Sequence, residues 1–183
     1  MPARLVIAFR TILVVVLIIA IVMIIIRKRY PEWGGSSKSL VGYWVQTFKN
    51  FGLYIKNERQ RARYMKRIKG ADILVIDSDM KSRKVIEWTL KDLGANVSLV
   101  RSGIVGIDKI KTKKYDVIIA DALLSDVSPF DIKAEAGDVP LVLIGVLEEQ
   151  VMDLMKLGKG YALVQEPYDP EDAAVAAGKL LSN

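Results

Sequence analysis

The sequence predicts an α/β domain with a five-stranded, doubly wound parallel sheet, preceded by a transmembrane helix and an amphipathic interfacial segment. Beyond residue 70, short aliphatic runs alternate five times with helical patterns, which is typical of a parallel sheet covered by helices on both faces. Near the amino terminus lies one long apolar run, and a basic segment with regularly spaced aromatic residues follows it. We therefore divide the chain into residues 1–29, 30–69 and 70–183.

The charge of the chain is strongly divided between its two parts. Residues 1–69 hold 14 Lys and Arg against 2 Asp and Glu, whereas residues 70–183 hold 13 against 19. The basic part predicts contact with an anionic surface, and the acidic part is typical of a soluble domain. Because the chain contains no Cys and no His, disulfides, thiolate or imidazole metal sites and Ser-His-Asp catalysis are excluded. Binding or carboxylate chemistry remains.

Residues 1–29 are predicted to be an uncleaved membrane anchor. The run from Leu5 to Ile26 is apolar except for Arg10 and Thr11, so it can span a bilayer if Arg10 lies near one interface. A cleaved signal peptide is the alternative, but a basic triplet rather than a small-residue cleavage site follows the run. The denser basic flank on the carboxyl side places the soluble part in the cytoplasm, as a single-pass protein of the cell inner (cytoplasmic) membrane.

Residues 30–69 are predicted to form a juxtamembrane linker with an amphipathic helix. After the turn-rich stretch YPEWGG, which contains Trp33, aromatic residues recur at helical spacing at Trp44, Phe48 and Phe51. The basic stretch NERQRARYMKRIK follows them. We expect these four aromatic residues to lie at the membrane interface beside anionic lipids. A packed core stripe, a helix that docks on a partner and, less favoured, a nucleic-acid patch are the alternatives.

Residues 70–183 contain the alternating pattern itself. The predicted strands are Ile73 to Ile76, Asn96 to Val100, Asp116 to Ala120, Leu141 to Ile144 and Tyr161 to Val164. The predicted helices are Lys81 to Leu93, Gly103 to Lys111, Glu148 to Leu157 and Pro170 to Leu181. Asp169, Pro170 and the acids after them mark the start of the last helix.

Carboxylates follow two of these strands at the point where each strand ends. ILVIDSD ends the first strand at Asp77, with Asp79 two residues on, and YDVIIAD ends the third strand at Asp121. Because the carboxyl ends of parallel strands share one edge of the sheet, we expect these acids to lie close together. Asp79 also precedes a helical pattern, so a helix cap is the competing interpretation.

These stretches resemble the receiver domain of bacterial two-component response regulators. ILVIDSD is similar to its first strand and acid pair, YDVIIAD to its third strand, VPLVLIG to its fourth, and GYALVQEPYDPED to its fifth strand and the turn that follows. The resemblance covers about the last 60% of the chain. It implies a flavodoxin-like fold and a role in signalling, with a phosphorelay as its usual context. The interval from Asp121 to Pro140 is about six residues short of the family pattern, which predicts a truncated third helix, with Pro129 where the family usually has a glycine.

The residues carried over from the family form an incomplete phosphorylation site. Asp121 matches the phosphoacceptor and Asp77 the first acid of the pair, whereas Ser78 replaces the second acid, which is a direct magnesium ligand. Gly145 stands where a hydroxyl would bind the phosphoryl group, and Glu166 stands where the family has Lys. The resemblance therefore implies a pseudo-receiver.

The charges oppose phosphoryl transfer, whose transition state is stabilised by positioned cations and donors. A single pair of like charges about 4 Å apart costs roughly 4 kcal/mol at an effective dielectric of 20, before screening. Three hypotheses remain for Asp77, Asp79 and Asp121: caps and loop acceptors, a Mg²⁺ site on Asp77 and Asp121 without phosphorylation, or a working phosphoacceptor.

We expect a non-enzymatic interaction or scaffold module that binds protein partners and membrane lipids, with no nucleic acid and no cofactor. The family commonly uses the face of its fourth helix, fifth strand and fifth helix for partners, which implies Val151, Leu154, Met155 and Tyr161 here. One alternative is a phosphorylatable, membrane-anchored receiver that switches on Asp121. Another is an accessory structural subunit of a larger membrane protein complex.

Overall fold

The structure, a computed structural model, describes residues 37–182 together with residues 21 and 29. Apart from residues 21 and 29, the predicted anchor lies outside the described residues, as does Trp33. In the described part of the chain, no helix combines the length and the apolar composition needed to cross a membrane.

The described residues form six α-helices and five β-strands. In chain order these are α1 Ser37–Lys66, β1 Asp72–Ile76, α2 Met80–Asp92, β2 Asn96–Val100, α3 Gly103–Thr112, β3 Val117–Asp121, α4 Pro129–Ala136, β4 Leu141–Val146, α5 Val151–Leu154, β5 Tyr161–Gln165 and α6 Pro170–Leu180. Short 3₁₀ turns at Glu148–Gln150 and Met155–Leu157 flank α5. The predicted alternation of strands and helices is confirmed.

All five strands pair in parallel, in the order β2-β1-β3-β4-β5. The central strands β1, β3 and β4 are buried on both faces, as their continuous aliphatic sequences predict. Alternate residues point to opposite faces, so Ile73 and Val75 pack in one core cluster while Leu74 and Ile76 pack in the other. The sheet is therefore doubly wound, with a helical layer on each side.

Two helices differ from the ordinary pattern in length. Helix α4 has only eight residues, which agrees with the predicted truncation of this helix. The predicted continuous helix from Glu148 to Leu157 is wrong, because the structure has 3₁₀ turns around the single turn of α5. Leu154 and Leu157 are both buried, and their spacing of three residues is the one that a 3₁₀ turn aligns on one side.

Helix α1 is longer than the helix predicted over residues 40–55, and it extends through most of the basic segment. Residues 37–54 are a helical segment in a unit of their own, and the compact unit that contains the sheet begins at Ile55. Of the aromatic residues predicted at a membrane interface, Phe51 is exposed, and the side chains of Trp44 and Phe48 lie outside the described part.

The carboxyl-terminal end of α1 and the turn after it belong to the core of the sheet unit. Ile68 is fully buried, and Met65 packs against the same core cluster. The predicted boundary at residue 70 remains a prediction, but these two apolar side chains precede it.

The same end of α1 is fixed against α6 by a close backbone approach and an ion pair. A Cβ atom added at Gly178 would lie 2.0 Å from the carbonyl oxygen of Tyr64, so only glycine allows this approach. Arg61 Nη1 lies 2.8 Å from Asp172 Oδ1, in the first turn of α6. The contact therefore depends on glycine in the last helix of the chain.

We predict that Gly178→Ala destabilises the sheet unit of the full chain. Alanine normally stabilises an exposed helix interior relative to glycine by about 0.5 to 1 kcal/mol. Here the clash with Tyr64 should instead lower the free energy of unfolding by about 1 to 3 kcal/mol. Thermal unfolding followed by circular dichroism measures the difference.

Gly52→Ala in α1 is the matched control, because an added Cβ there meets no described heavy atom within 4 Å. This change should leave the melting temperature of the sheet unit unchanged or raise it. A Gly178→Ala variant that melts at or above the wild-type temperature would contradict the packing of α1 on α6.

Candidate functional site

Three of the predicted site residues meet at the carboxyl edge of the sheet. Asp77 directly follows β1, and Asp121 is the last residue of β3. The register pairs Ile76 with Ala120 and Asp121 with Ile144, so Gly145 of β4 lies beside Asp121. Parallel pairing thus brings residues that are distant in sequence to one edge, as predicted.

Asp77 and Asp79 both serve as local hydrogen-bond acceptors. Asp77 is buried, and its Oδ1 accepts a hydrogen bond of 2.7 Å from the backbone N–H of Asp79. Asp79 Oδ1 accepts from the N–H groups of Lys81 at 2.6 Å and Ser82 at 3.2 Å. The cap hypothesis for Asp79 is confirmed, because these bonds satisfy free donors in the first turn of α2.

Asp121 and Glu166 both lie close to the position that a Cβ atom of Gly145 would occupy. A Cβ atom at Gly145 would lie 3.3 Å from Asp121 Oδ1 and 3.7 Å from Glu166 Oε1. Asp121 Oδ1 also accepts a hydrogen bond of 2.9 Å from the N–H of Leu123. Asp77, Asp79, Asp121 and Glu166 are called the carboxylate cluster below.

The backbone at Gly145 differs from that of an ordinary strand. Its φ is +68°, in the left-handed region, and the pairing of β4 with β5 shifts register between Leu143 and Val146. A residue with a side chain is strained at this φ, β-branched threonine most of all. Introducing a hydroxyl side chain here therefore requires a change of backbone conformation as well as of sequence.

The surroundings of Asp121 favour its neutral form. Burial raises the pKa of Asp121, and the hydrogen bond from Leu123 opposes this effect. The negative charges of Asp77, Glu166 and Asp79 raise the pKa further. Within residues 37–182, no basic side chain forms an ion pair with any carboxylate of the cluster.

Two neighbours of the cluster were not predicted. Burial raises the pKa of the Tyr168 hydroxyl, which lies 3.5 Å from Ser82 Oγ. The negative charges of the nearby carboxylates raise this pKa further. Arg83 donates a hydrogen bond from Nη1 to the backbone carbonyl of Asp77. Arg83 lies one helical turn after the cap, and Tyr168 follows the fifth strand at the same sheet edge as the acids. These positions in the chain are the sequence features from which Arg83 and Tyr168 could have been predicted as neighbours of the cluster.

Asp77 and Asp121 are the two carboxylates of the predicted magnesium site, and both lie at the carboxyl edge of the sheet. Ser78 is exposed, and Oδ1 of Asp77 and Oδ1 of Asp121 each accept a backbone hydrogen bond. Among the described residues, no three Asp, Glu, His or Cys side chains form a group that could hold a metal ion. The two-carboxylate magnesium site on Asp77 and Asp121 remains a prediction.

The predicted partner face is only partly accessible. Met155 is exposed, and Val151 and Tyr161 are half-buried and pack against the core. Leu154 is 4% exposed and belongs to the core itself, so its assignment to a contact surface is corrected. Met152, which is 74% exposed, is the more accessible apolar side chain of α5.

We predict that Asp121→Asn raises the melting temperature of the full chain at neutral pH. A raised pKa in the folded state means that the proton on Asp121 favours folding, and this contribution is lost as pH rises through the folded pKa. Asparagine keeps the side-chain shape and the acceptor for Leu123 without the charge. A gain of about 1 kcal/mol corresponds to about 2 to 4 °C.

The gain from Asp121→Asn should disappear at about pH 3, where the wild-type carboxyl is protonated. Asp126→Asn is a useful control, because hydrogen bonds from Ser102 and from the backbone of Ile104 and Gly103 lower the pKa of Asp126. That variant should lose stability at neutral pH. Destabilisation by Asp121→Asn at neutral pH would contradict the proposed repulsion.

Comparison with known proteins gives the same fold. No family model matches the chain. It is 23% identical over 118 residues to the transcriptional regulatory protein ZraR of Escherichia coli O157:H7, which covers 61% of this chain and 26% of that protein. It is 29% identical over 100 residues to the probable transcriptional regulatory protein SilR of Salmonella typhimurium, which covers 51% of this chain and 43% of that protein. The chain thus matches less than half of the length of these relatives.

Solved structures match over nearly their whole length. A response regulator receiver protein from Sinorhizobium medicae is 21% identical with a TM-score of 0.56, and the match covers 62% of this chain and 95% of that one. The receiver domain of the sensor histidine kinase PA1611 from Pseudomonas aeruginosa, which has a magnesium ion in its active site cleft, is 20% identical with a TM-score of 0.55. That match covers 62% of this chain and 99% of the other. The sheet unit of this chain therefore has the flavodoxin-like fold of a response regulator receiver.

Proposed function

We propose that this chain is a membrane-anchored, receiver-like signalling module that binds a partner protein and does not use Asp121 as a phosphoacceptor. The observation that carries the proposal is the position of Glu166, whose carboxylate lies with that of Asp121 around Gly145. Glu166 thus places a negative charge where the receiver family has Lys. Gly145 has only a hydrogen atom where the family has a hydroxyl side chain. The receiver fold and the similarity to two regulatory proteins support a signalling role.

Phosphorylation of Asp121 would add negative charge where the chain has already concentrated it. The transition state of phosphoryl transfer spreads negative charge over three equatorial oxygens and depends on nearby cations and donors. The guanidinium of Arg83 is used on the carbonyl of Asp77, and the described part of the chain offers no ion pair to the cluster. At an effective dielectric of 20, two like charges about 4 Å apart repel by roughly 4 kcal/mol before screening, so Glu166 opposes a phosphoryl group on Asp121.

The remaining parts of the proposal follow from the sequence. The apolar run of residues 5–26 and its basic flank support a single-pass anchor in the cytoplasmic membrane, with the sheet unit on the cytoplasmic side. The absence of Cys and His from the whole sequence supports a binding role rather than catalysis. The module would act by presenting its folded surface to a protein partner without a cofactor.

A second candidate, the phosphorylatable receiver, is favoured by the placement of Asp77 and Asp121 at one edge of the sheet. These are the two acids of the family site that the chain keeps. The two proposals differ in whether Asp121 forms an acyl phosphate, and this difference can be measured directly.

We predict that the full chain in detergent takes up no phosphoryl group when it is incubated with acetyl phosphate and Mg²⁺. Intact mass and a phosphate-sensitive gel measure the uptake, and Asp121→Asn defines the background. We expect the two proteins to give equal signals. Uptake by the wild-type chain that Asp121→Asn abolishes would establish the second candidate and overturn the first.

A further inference from the structure

Helix α2 presents an apolar and basic stripe to solvent. Its outward face carries Met80, Val85 and Trp88, which are 67%, 42% and 67% exposed. Between and beside them are Lys81, Lys84 and Lys91, which are exposed as well. We call these six residues the α2 stripe.

The stripe is not a face that the fold needs for its own core. Ile86 and Leu90, on the opposite side of α2, are buried in the cluster between the sheet and its helices. At about 100° per residue, Met80, Trp88 and Val85 follow one another around the helix and share an outward arc of about 140°. Leaving a tryptophan two-thirds exposed beside two other exposed apolar side chains forgoes the burial of a large apolar surface, so the stripe is a candidate contact site.

The basic side chains of α2 outnumber its acids and are partly neutralised by them: the helix carries four Lys and Arg residues against Glu87 and the exposed Asp92. Glu87 is nearly buried and holds Lys84 at 2.8 Å and Lys91 at 2.7 Å, one on each side of Trp88 in sequence. Lys81 has no ion pair within the described part of the chain. Lys69 is also exposed, and its side chain lies over Gly94, just beyond the end of α2.

We propose that the α2 stripe docks the sheet unit on an anionic lipid surface. Tryptophan prefers the headgroup level of a bilayer, and the net positive charge of α2 is attracted to anionic lipids, at about 1 kcal/mol for each basic side chain that no acid neutralises. The lysine side chains can extend along the helix to the headgroups while Met80, Val85 and Trp88 enter the interface. The inference rests on the membrane-anchored part of the proposed function, because an anchor holds the sheet unit near a bilayer.

The size of the stripe favours lipid over a protein partner. A specific protein interface usually buries about 800 Å² on each side around an apolar core. The stripe offers three apolar side chains on the convex face of one helix, flanked by lysines. This composition suits shallow insertion into an interface, where the lipid adapts to the shape of the helix.

The test uses Trp88 as its own probe in the full chain. The sequence has three tryptophans, so Trp33→Phe with Trp44→Phe leaves Trp88 as the only one. This protein is reconstituted into vesicles of brominated phosphatidylcholine, with or without about one third phosphatidylserine. With phosphatidylserine, we expect Trp88 emission to shift to the blue and to be quenched by the bromine atoms, because an interfacial tryptophan leaves water for the headgroup level.

Two further variants locate the contact on the stripe. In the Trp88-only protein, Lys81→Glu with Val85→Glu should abolish the quenching, whereas the protein still floats with the vesicles through its amino-terminal segment. Met152→Glu is the matched control, because Met152 is an exposed apolar residue of α5, whose Leu154 packs in the other core cluster. This change should leave the quenching intact.

Several outcomes would overturn the inference. If the protein floats with the vesicles but Trp88 is not quenched, the stripe does not face lipid, although the anchor proposal stands. If the protein does not float, both the anchor and the docking proposal fail. Equal quenching without phosphatidylserine would refute the role of anionic lipid. A photo-reactive residue at position 88 that crosslinks in cell membranes to one discrete protein, and not to lipid, would assign the stripe to a protein partner.

Discussion

The parallel pairing of five strands is the constraint on which the site depends. In such a sheet every strand ends at the same edge, so residues that follow β1, β3, β4 and β5 become neighbours although the sequence separates them. Asp77, Asp121 and Glu166 are therefore held together by the two apolar cores that position the strands. The repulsion between these carboxylates is outweighed by the burial of aliphatic side chains in the two core clusters, which stabilises the sheet whichever residues lie at its edge.

Backbone donors offset part of the repulsion within the carboxylate cluster. Asp77 accepts from the N–H of Asp79, Asp79 caps α2, and Asp121 accepts from the N–H of Leu123. These bonds stabilise carboxylates locally, yet the pKa of Asp121 is still raised by burial and by its acidic neighbours. The carboxylates at this edge of the sheet thus form hydrogen bonds within the fold.

Gly145 couples the backbone at this edge of the sheet to the carboxylates. Its left-handed φ, beside the register shift between β4 and β5, is a conformation in which a side chain would be strained. A Cβ atom at this position would lie 3.3 Å from Asp121 Oδ1 and 3.7 Å from Glu166 Oε1. A side chain introduced at Gly145 would therefore meet both an unfavourable backbone conformation and two acidic neighbours.

The sequence predicts the sheet well because the aliphatic runs of β1, β3 and β4 are unambiguous and the loops between elements are short. It leaves the role of Asp79 open, because a strand-end acid and a helix cap occupy the same position in the chain. The burial of Ile68 and the approach of Gly178 to Tyr64 could not be predicted, since both depend on how α1 packs against α6. The helix predicted over Glu148 to Leu157 fails because the buried spacing of Leu154 and Leu157 suits a tighter turn.

Carbon NMR titration of the Asp121 carboxyl, in the full chain in detergent, measures how strongly the carboxylate cluster acts on this residue. We expect a midpoint above the ordinary value for aspartate, because burial and the charges of Asp77, Glu166 and Asp79 disfavour ionisation. In Glu166→Gln, which removes one of these charges, the midpoint should move down toward the ordinary value. A wild-type midpoint at or below the ordinary value would mean that a cation or further donors balance Asp121 and that repulsion does not dominate this site.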